Sequence, residues 1–252
     1  MTLPAGWIVP DWPAPARVRA FVTTRDGGVS EGEYGTLNLG MSSGDDPDRV
    51  AANRRVVREH LPAAPRWLAQ AHGTAVADLD DGNEGDATLR TAFSGGGGRR
   101  VASPSLPSAD AAATSVAGRV AVVLTADCLP VFLCREDGSR VAVAHAGWRG
   151  LAAGVLENAV AALGADAARV LAWLGPAIGP EAFEVGPEVR EAFVSVQPEA
   201  ASAFAAHREG KYRADLYALA RQRLARAGVL RAWGGGFCTC TERERFFSYR
   251  RV

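Results

Sequence analysis

Residues 119–147 read RVAVVLTADCLPVFLCREDGSRVAVAHAG, and this stretch decides the architecture. RVAVVLTADC (119–128), PVFLC (130–134) and RVAVAHAG (140–147) are apolar, β-branched runs bounded by breakers, the pattern of buried strands. Asp137-Gly138-Ser139 supplies the turn between the last two. The period then switches. In LAAGVLENAVAAL (151–163), Leu151, Val155, Leu156, Ala159 and Leu163 fall on one side of a helix.

Downstream, RVLAWLG (169–175) predicts a strand ending at Gly175-Pro176, and a helix begins at Pro187 in PEVREAFVSV. DLYALARQRLARAG (215–228) predicts a helix with Asp215 as N-cap and Gly228 as its stop, followed by a strand-like WGGGFCTC. Upstream, VRAFVTT (18–24) predicts a strand before a turn at Asp26-Gly27-Gly28. Asp46 and Pro47 open a helix that Pro62 closes, and RWLAQ (66–70) is a short strand leading to His72-Gly73-Thr74. Residues 81–108 contain four consecutive glycines from Gly95 to Gly98 and two prolines, and no hydrophobic period survives there; a flexible surface loop is expected. Strands exceed what regular βαβ winding requires, so the fold class is mixed-sheet α+β, one domain over residues 1–252. No repeat subdivides it.

The chain has 252 residues, 48% of them hydrophobic and 22% charged, enough for a core that needs no staple. A bound metal would therefore serve chemistry rather than folding. With 28 basic and 28 acidic residues the net charge is zero, which argues against a nucleic-acid or anionic-membrane surface and leaves room only for a local basic pocket. No run is long and apolar enough to span a bilayer, and the N-terminus lacks a leader pattern. Cys128, Cys134, Cys238 and Cys240 form no secreted disulfide framework, so the expected compartment is the cytoplasm. The sequence does not set an oligomeric state.

Of four histidines, His60 ends a charged helix and His207 lies in a polar stretch, both surface contexts. His72 and His145 sit where apolar strands run into glycines, and Cys128 ends a strand after Thr125-Ala126-Asp127. Singly, each is as well explained by packing. Together, one thiolate and two imidazoles are three ligands of the types zinc accepts, leaving a fourth position open. The alternative is a metal-free cysteine hydrolase with Cys128 as nucleophile and His145 or His72 as base. Cys238-Thr239-Cys240 is a rival metal pair, but its spacing is too short for a thiolate knuckle. The turn His145-Ala146-Gly147-Trp148-Arg149-Gly150 opens a helix whose N–H groups and Arg149 suit an anion. Arg25 and Asn38 either add to that anion site or hold turns. Trp148 is placed either to stack on a base or to pack against the following helix.

FVTTRDGGVS (21–30), GTLNLG (35–40), QAHGT (70–74), SADAAAT (108–114), TADCLPVFL (125–133), AHAGWRGLAAGV (144–155), GPAIGPEAFEVG (175–186) and FFSYRR (246–251) together resemble the polyphenol-oxidase or laccase-domain family, whose members are now described as purine nucleoside phosphorylases. TADC combined with AHAGWRG is the specific part. The resemblance implies an α/β/β/α layered fold and a zinc site from His72, Cys128 and His145, with copper the older attribution. It implies purine nucleoside and phosphate as partners: phosphorolysis of adenosine, inosine, guanosine and methylthioadenosine, with adenosine deamination as a second activity. Under that reading Arg25, Asn38 and Arg149 face phosphate, Trp148 and Phe183 hold the purine, and Asp127 assists proton transfer or caps its turn. Another proposal for relatives is an amidase editing peptidoglycan precursors, and a catalytically weak small-molecule-binding protein is the non-enzymatic alternative. Glu181-Ala182 stand where the family often has cysteines. The chain stops at Arg251-Val252, short of a final strand in many relatives, so a pocket wall or sheet edge is expected to be missing.

Overall fold

A computed structural model describes residues 3–80, 106–164 and 166–251. The segment 81–108, expected as a loop, lies outside the described residues apart from 106–108.

In chain order the elements are α1 (Pro47–Arg58), β1 (Pro65–Arg66), β2 (Val76–Asp78), β3 (Ala111–Thr114), β4 (Val120–Ala121), β5 (Leu129–Arg135), β6 (Val141–Ala146), α2 (Trp148–Ala153), α3 (Val155–Leu163), β7 (Val170–Leu174), β8 (Glu184–Val185), α4 (Pro187–Val194), β9 (Phe204–Ala206), β10 (Tyr212–Ala214), α5 (Leu216–Arg226) and β11 (Arg231–Gly234). Six strands form the central sheet in the order β11-β7-β5-β6-β3-β2. Its outer pairs are parallel and its inner pairs antiparallel, so the expected mixed sheet is what forms.

Alternation along the strands splits the sheet's two faces. Leu129, Val131 and Leu133 of β5, Ala142, Ala144 and Ala146 of β6, and Val170, Ala172 and Leu174 of β7 share the main core with Leu151, Leu156, Leu163 and Leu219 from the helices. The small residues of β6 and β3 let α3 lie close to the sheet. The other face carries Phe132 stacked on Trp173, and Ala112 packed with Leu68, Leu79 and Val123. There the short β1–β4 ribbon forms a second β layer, and Arg54 of α1 stacks 3.8 Å from the ring of Trp67 beside that ribbon. The layers follow the order helix, sheet, ribbon, helix.

Local chemistry explains the boundaries. Asp46 caps α1 by accepting from the Asp48 N–H, with Pro47 at the first position, and Asp215 caps α5 by accepting from Ala218 N–H. Four expectations need correction. The single helix expected over 151–163 is two, because Gly154 adopts φ 106° between α2 and α3. VRAFVTT is no strand: Val22 exchanges hydrogen bonds with Ile8 alone, since the proline-rich N-terminal segment lacks the N–H donors for a longer ladder. RVAVVLTADC and RWLAQ shrink to β4 and β1, because the Gln70 side-chain amide takes the place of a neighbouring strand and bonds both the N–H (2.7 Å) and the C=O (2.9 Å) of Leu124. WGGGFCTC leaves the sheet at Gly234, where three consecutive glycines have positive φ.

One carboxylate gives the fold a titratable lock. Asp80, just after β2, accepts from Thr114 Oγ1 (2.5 Å), Ser115 N (2.8 Å) and Ser115 Oγ (2.6 Å), beside Arg119 and Arg140. Burial alone would raise its pKa, but these bonds and the Arg140 charge pull it down to about 2. A folded pKa below the unfolded value means the stabilisation is complete above about pH 4 and disappears as the pH falls towards 2. Asp80→Asn should therefore cost about 1 kcal/mol at pH 7, after solvent screening, and nothing near pH 2. Denaturant melts of both proteins across that range check it.

Candidate metal centre

The three predicted ligands meet. His72 comes from the turn after β1, Cys128 from the residue before β5, and His145 from the end of β6, where Pro130 is its register partner. Because Ala144 and Ala146 face the helices, alternation sends His145 to the opposite face, where it is buried. The Gln70–Leu124 double bond ties the loop bearing His72 to the loop bearing Cys128. Cys128 Sγ lies 3.7 Å from His72 Nε2, the two imidazoles stack edge to face at 4.8 Å, and one ligand atom from each residue lies within 4.8 Å of the others.

Glycines make that approach possible. A Cβ on Gly147 would lie 2.8 Å from His72 Cδ2 and 2.9 Å from Cys128 Sγ. A Cβ on Gly150 would lie 2.7 Å from the Gly73 carbonyl oxygen, so α2 packs on the His72 turn only with glycine there. Backbone conformation is special at two ligand-bearing turns: His72 has φ 59° and Asp127, preceding Cys128, has φ 87°.

Two buried carboxylates surround the cluster. Asp110 pairs with His145 Nδ1 (2.8 Å) and accepts from the amides of Ala71, His72 and Gly73. Burial opposes its ionisation, but those bonds hold its pKa below the ordinary carboxylate value. Sequence reading missed it; the signal was SADAAAT, an aspartate entering an alanine-rich buried strand. Asp127 turns the other way. Its carboxylate accepts from Thr239 Oγ1 (2.6 Å), Ser248 Oγ (3.0 Å) and the Arg250 amide (2.8 Å), fastening the C-terminal segment beside Cys128.

Electrostatics within the cluster suit a cation. Burial pushes the Cys128 thiol up to about 11, helped by Asp127 and Asp110 and opposed by Arg149. Burial likewise holds the His145 imidazolium pKa below its usual value, against the opposing pull of Asp110. Cysteine binds a metal as the thiolate, so a cation here would displace the Cys128 proton, and the two neighbouring aspartates favour a positive charge at the site. The donor set and spacing therefore fit a metal ion.

The other predicted contacts divide. All of them, Arg25, Asn38, Asp127, Trp148, Arg149 and Phe183, line one groove with the three ligands. At about 2300 Å3 it far exceeds what a nucleoside fills. Arg149 is exposed, stacks 4.4 Å from the Trp148 ring, and makes no hydrogen bond or ion pair among the described residues. Arg25 spends Nε on Gly35 O and Nη1 on Arg243 O, leaving Nη2. The Asn38 amide is committed to its own loop, donating to Ser43 Oγ and Asp45 Oδ2 and accepting from Gly40 N–H. Phe183 is buried, with the Arg250 guanidinium 5.4 Å from its ring. His60 meets Trp7 edge to face and His207 lies beside Glu184, both outside the cluster.

Residues 19–252 match the family described as multi-copper polyphenol oxidoreductase laccase. A purine nucleoside phosphorylase of Pseudomonas aeruginosa is 50% identical over 246 residues, covering 97% of this chain and 93% of that protein. A purine nucleoside phosphorylase of Escherichia coli matches with the same identity and coverage. Among solved structures, a Neisseria meningitidis protein superposes with a TM-score of 0.86 at 46% identity, covering 98% of this chain and 93% of the other. No helix among the described residues is long and apolar enough to cross a membrane.

Proposed function

This chain belongs to the multi-copper polyphenol oxidoreductase laccase family, and from that premise we propose that it is a zinc-dependent purine nucleoside phosphorylase acting on adenosine, inosine, guanosine and methylthioadenosine, with adenosine deamination as a second activity. The observation that carries the proposal is that His72, Cys128 and His145 cluster at a groove shared with an uncommitted Arg149 and with Trp148 and Phe183. Relatives bearing the phosphorylase name support the reaction class. The donor set supports zinc over a multicopper centre, because such a centre needs a histidine-rich cluster and this chain has four histidines, two of them elsewhere.

In this reading Arg149, aided by Nη2 of Arg25, receives phosphate, since a guanidinium with free donors binds it in a forked pair. The purine stacks on Trp148, with Phe183 closing the apolar side. Asn38 and Asp127 act as supports: the first shapes the loop opposite, the second holds the C-terminal wall. His145 stays paired with Asp110 through Nδ1. When bound by His72, Cys128 and His145, zinc supplies Lewis acidity and activates water, which serves deamination more directly than phosphorolysis. Phosphorolysis depends instead on how the arginines aim phosphate at the anomeric carbon. The cytoplasm remains the expected compartment.

Product analysis of adenosine turnover decides between the activities. Adenine and ribose 1-phosphate should form only when phosphate is present; inosine formed without phosphate would mark the deaminase. No turnover of any purine nucleoside would reject the reading in favour of a binding protein. A second reading, a cysteine amidase acting on peptidoglycan precursors, draws on the 3.7 Å approach of Cys128 Sγ to His72 Nε2. Amide hydrolysis that survives zinc chelation would establish it.

A further inference from the structure

We propose that Asp110 is the positioning residue of the metal centre, a single buried carboxylate that sets both imidazole ligands at once. The inference rests on the metal reading above but begins from hydrogen bonds that stand without a metal.

Each oxygen of Asp110 has two partners. Oδ1 lies 2.8 Å from His145 Nδ1 and accepts from His72 N (2.9 Å), and Oδ2 accepts from Ala71 N (3.1 Å) and Gly73 N (2.6 Å). Three of these partners are backbone amides, which can only donate. A carboxylate enclosed by them, with Asp110 only 1% exposed, has no proton to offer the fourth partner. His145 Nδ1 must therefore carry the hydrogen, and the lone pair of the neutral ring lies on Nε2, the remaining atom available to a metal.

The same carboxylate acts on His72 through the backbone. Three successive N–H groups, those of Ala71, His72 and Gly73, wrap around Asp110 as a small anion nest. That nest holds His72 at φ 59°, a left-handed conformation uncommon for residues other than glycine. The Asp110 main chain adds a third tie, its C=O accepting from His145 N at 2.7 Å. Asp110 thus carries no ligand atom, yet the direction of both ligand rings follows from it.

Asparagine at this position cannot reproduce the set. If its oxygen stays on Oδ1's side, its amide group faces the donors of Ala71 and Gly73; if it flips, the amide donates to His145 Nδ1 and drives the hydrogen to Nε2. The test reads the tautomer of His145 by 15N-resolved NMR of the metal-free protein at about pH 8, above the ordinary imidazole pKa. The wild type should show Nδ1–H; an Nε2–H tautomer there would overturn the proposal with no variant needed. Asp110→Asn should shift the tautomer or broaden the His145 signals, and should weaken zinc in a chelator competition by about tenfold to a hundredfold. Zinc affinity within about twofold of wild type in a folded Asp110→Asn protein would also overturn it. Failure of the wild type itself to bind zinc would reject the metal reading, while the tautomer result would still decide the role of Asp110.

Discussion

Cys128→Ser should lower purine nucleoside turnover by about a thousandfold or more, beyond the tenfold to hundredfold loss typical of an outer hydrogen-bond partner. It removes the only thiolate that the cluster can offer, and a serine hydroxyl is a harder, shorter and essentially un-ionised ligand. Folding should be nearly untouched, because among the described residues the sulfur's polar contact is with His72 Nε2 alone, which the substitution merely relaxes. The measurement is zinc content and turnover on the same purified sample, with a thermal melt as control. Wild-type turnover in the variant would remove Cys128 from the mechanism. Chelation separates the two roles a cysteine can have here. A ligand predicts that the wild type also loses activity on chelation and regains it with zinc, whereas a nucleophile predicts that it does not.

Gly147→Ala is the second large effect, and its interest is that it adds a single methyl group. Gly147 has φ −65° and ψ 158°, which alanine adopts without strain, so any penalty comes from what the methyl meets. It meets two ligand side chains, 2.8 Å from His72 Cδ2 and 2.9 Å from Cys128 Sγ, well inside ordinary contact. Both must move outward, and a metal site tolerates displacements of only a few tenths of an ångström. Zinc affinity and turnover should both fall by about tenfold to a hundredfold, while stability changes by only about 1–2 kcal/mol. Isothermal competition for zinc and a melt of the metal-free protein resolve the two. Unchanged zinc affinity would show that the cluster sits further from Gly147 when a metal is bound.

The sequence already contained the core and the ligand types. β5, β6 and β7 are legible because a buried strand needs a short apolar run between breakers, and α5 because its N-cap and glycine stop are local signals. His72, Cys128 and His145 were recognisable as metal-ligand types, each followed closely by glycine or a strand. The errors were non-local. VRAFVTT has strand composition, but its neighbour could not supply donors, and no window of residues contains that fact. LAAGVLENAVAAL has one helical period, yet Gly154 breaks it in two so that α2 can bring Gly147 and Gly150 against the His72 turn.

The ligand trio is thus where the two sources of information divide. Residue type and spacing determined that one thiol and two imidazoles were available at strand ends, because the ability to bind a metal is a property of side-chain chemistry. Only the tertiary structure decided that they converge, because convergence depends on contacts between distant segments: Gln70 with Leu124, Gly150 with Gly73, and Asp110 with three amides of the His72 turn and with His145 of β6. It also separated two aspartates that look alike in sequence. Asp127, adjacent to the cysteine, faces the C-terminal segment, while Asp110, 18 residues earlier by numbering from Cys128, orients the histidines. Which carboxylate serves the metal is set by the direction its strand end faces, and direction follows from packing rather than from proximity along the chain.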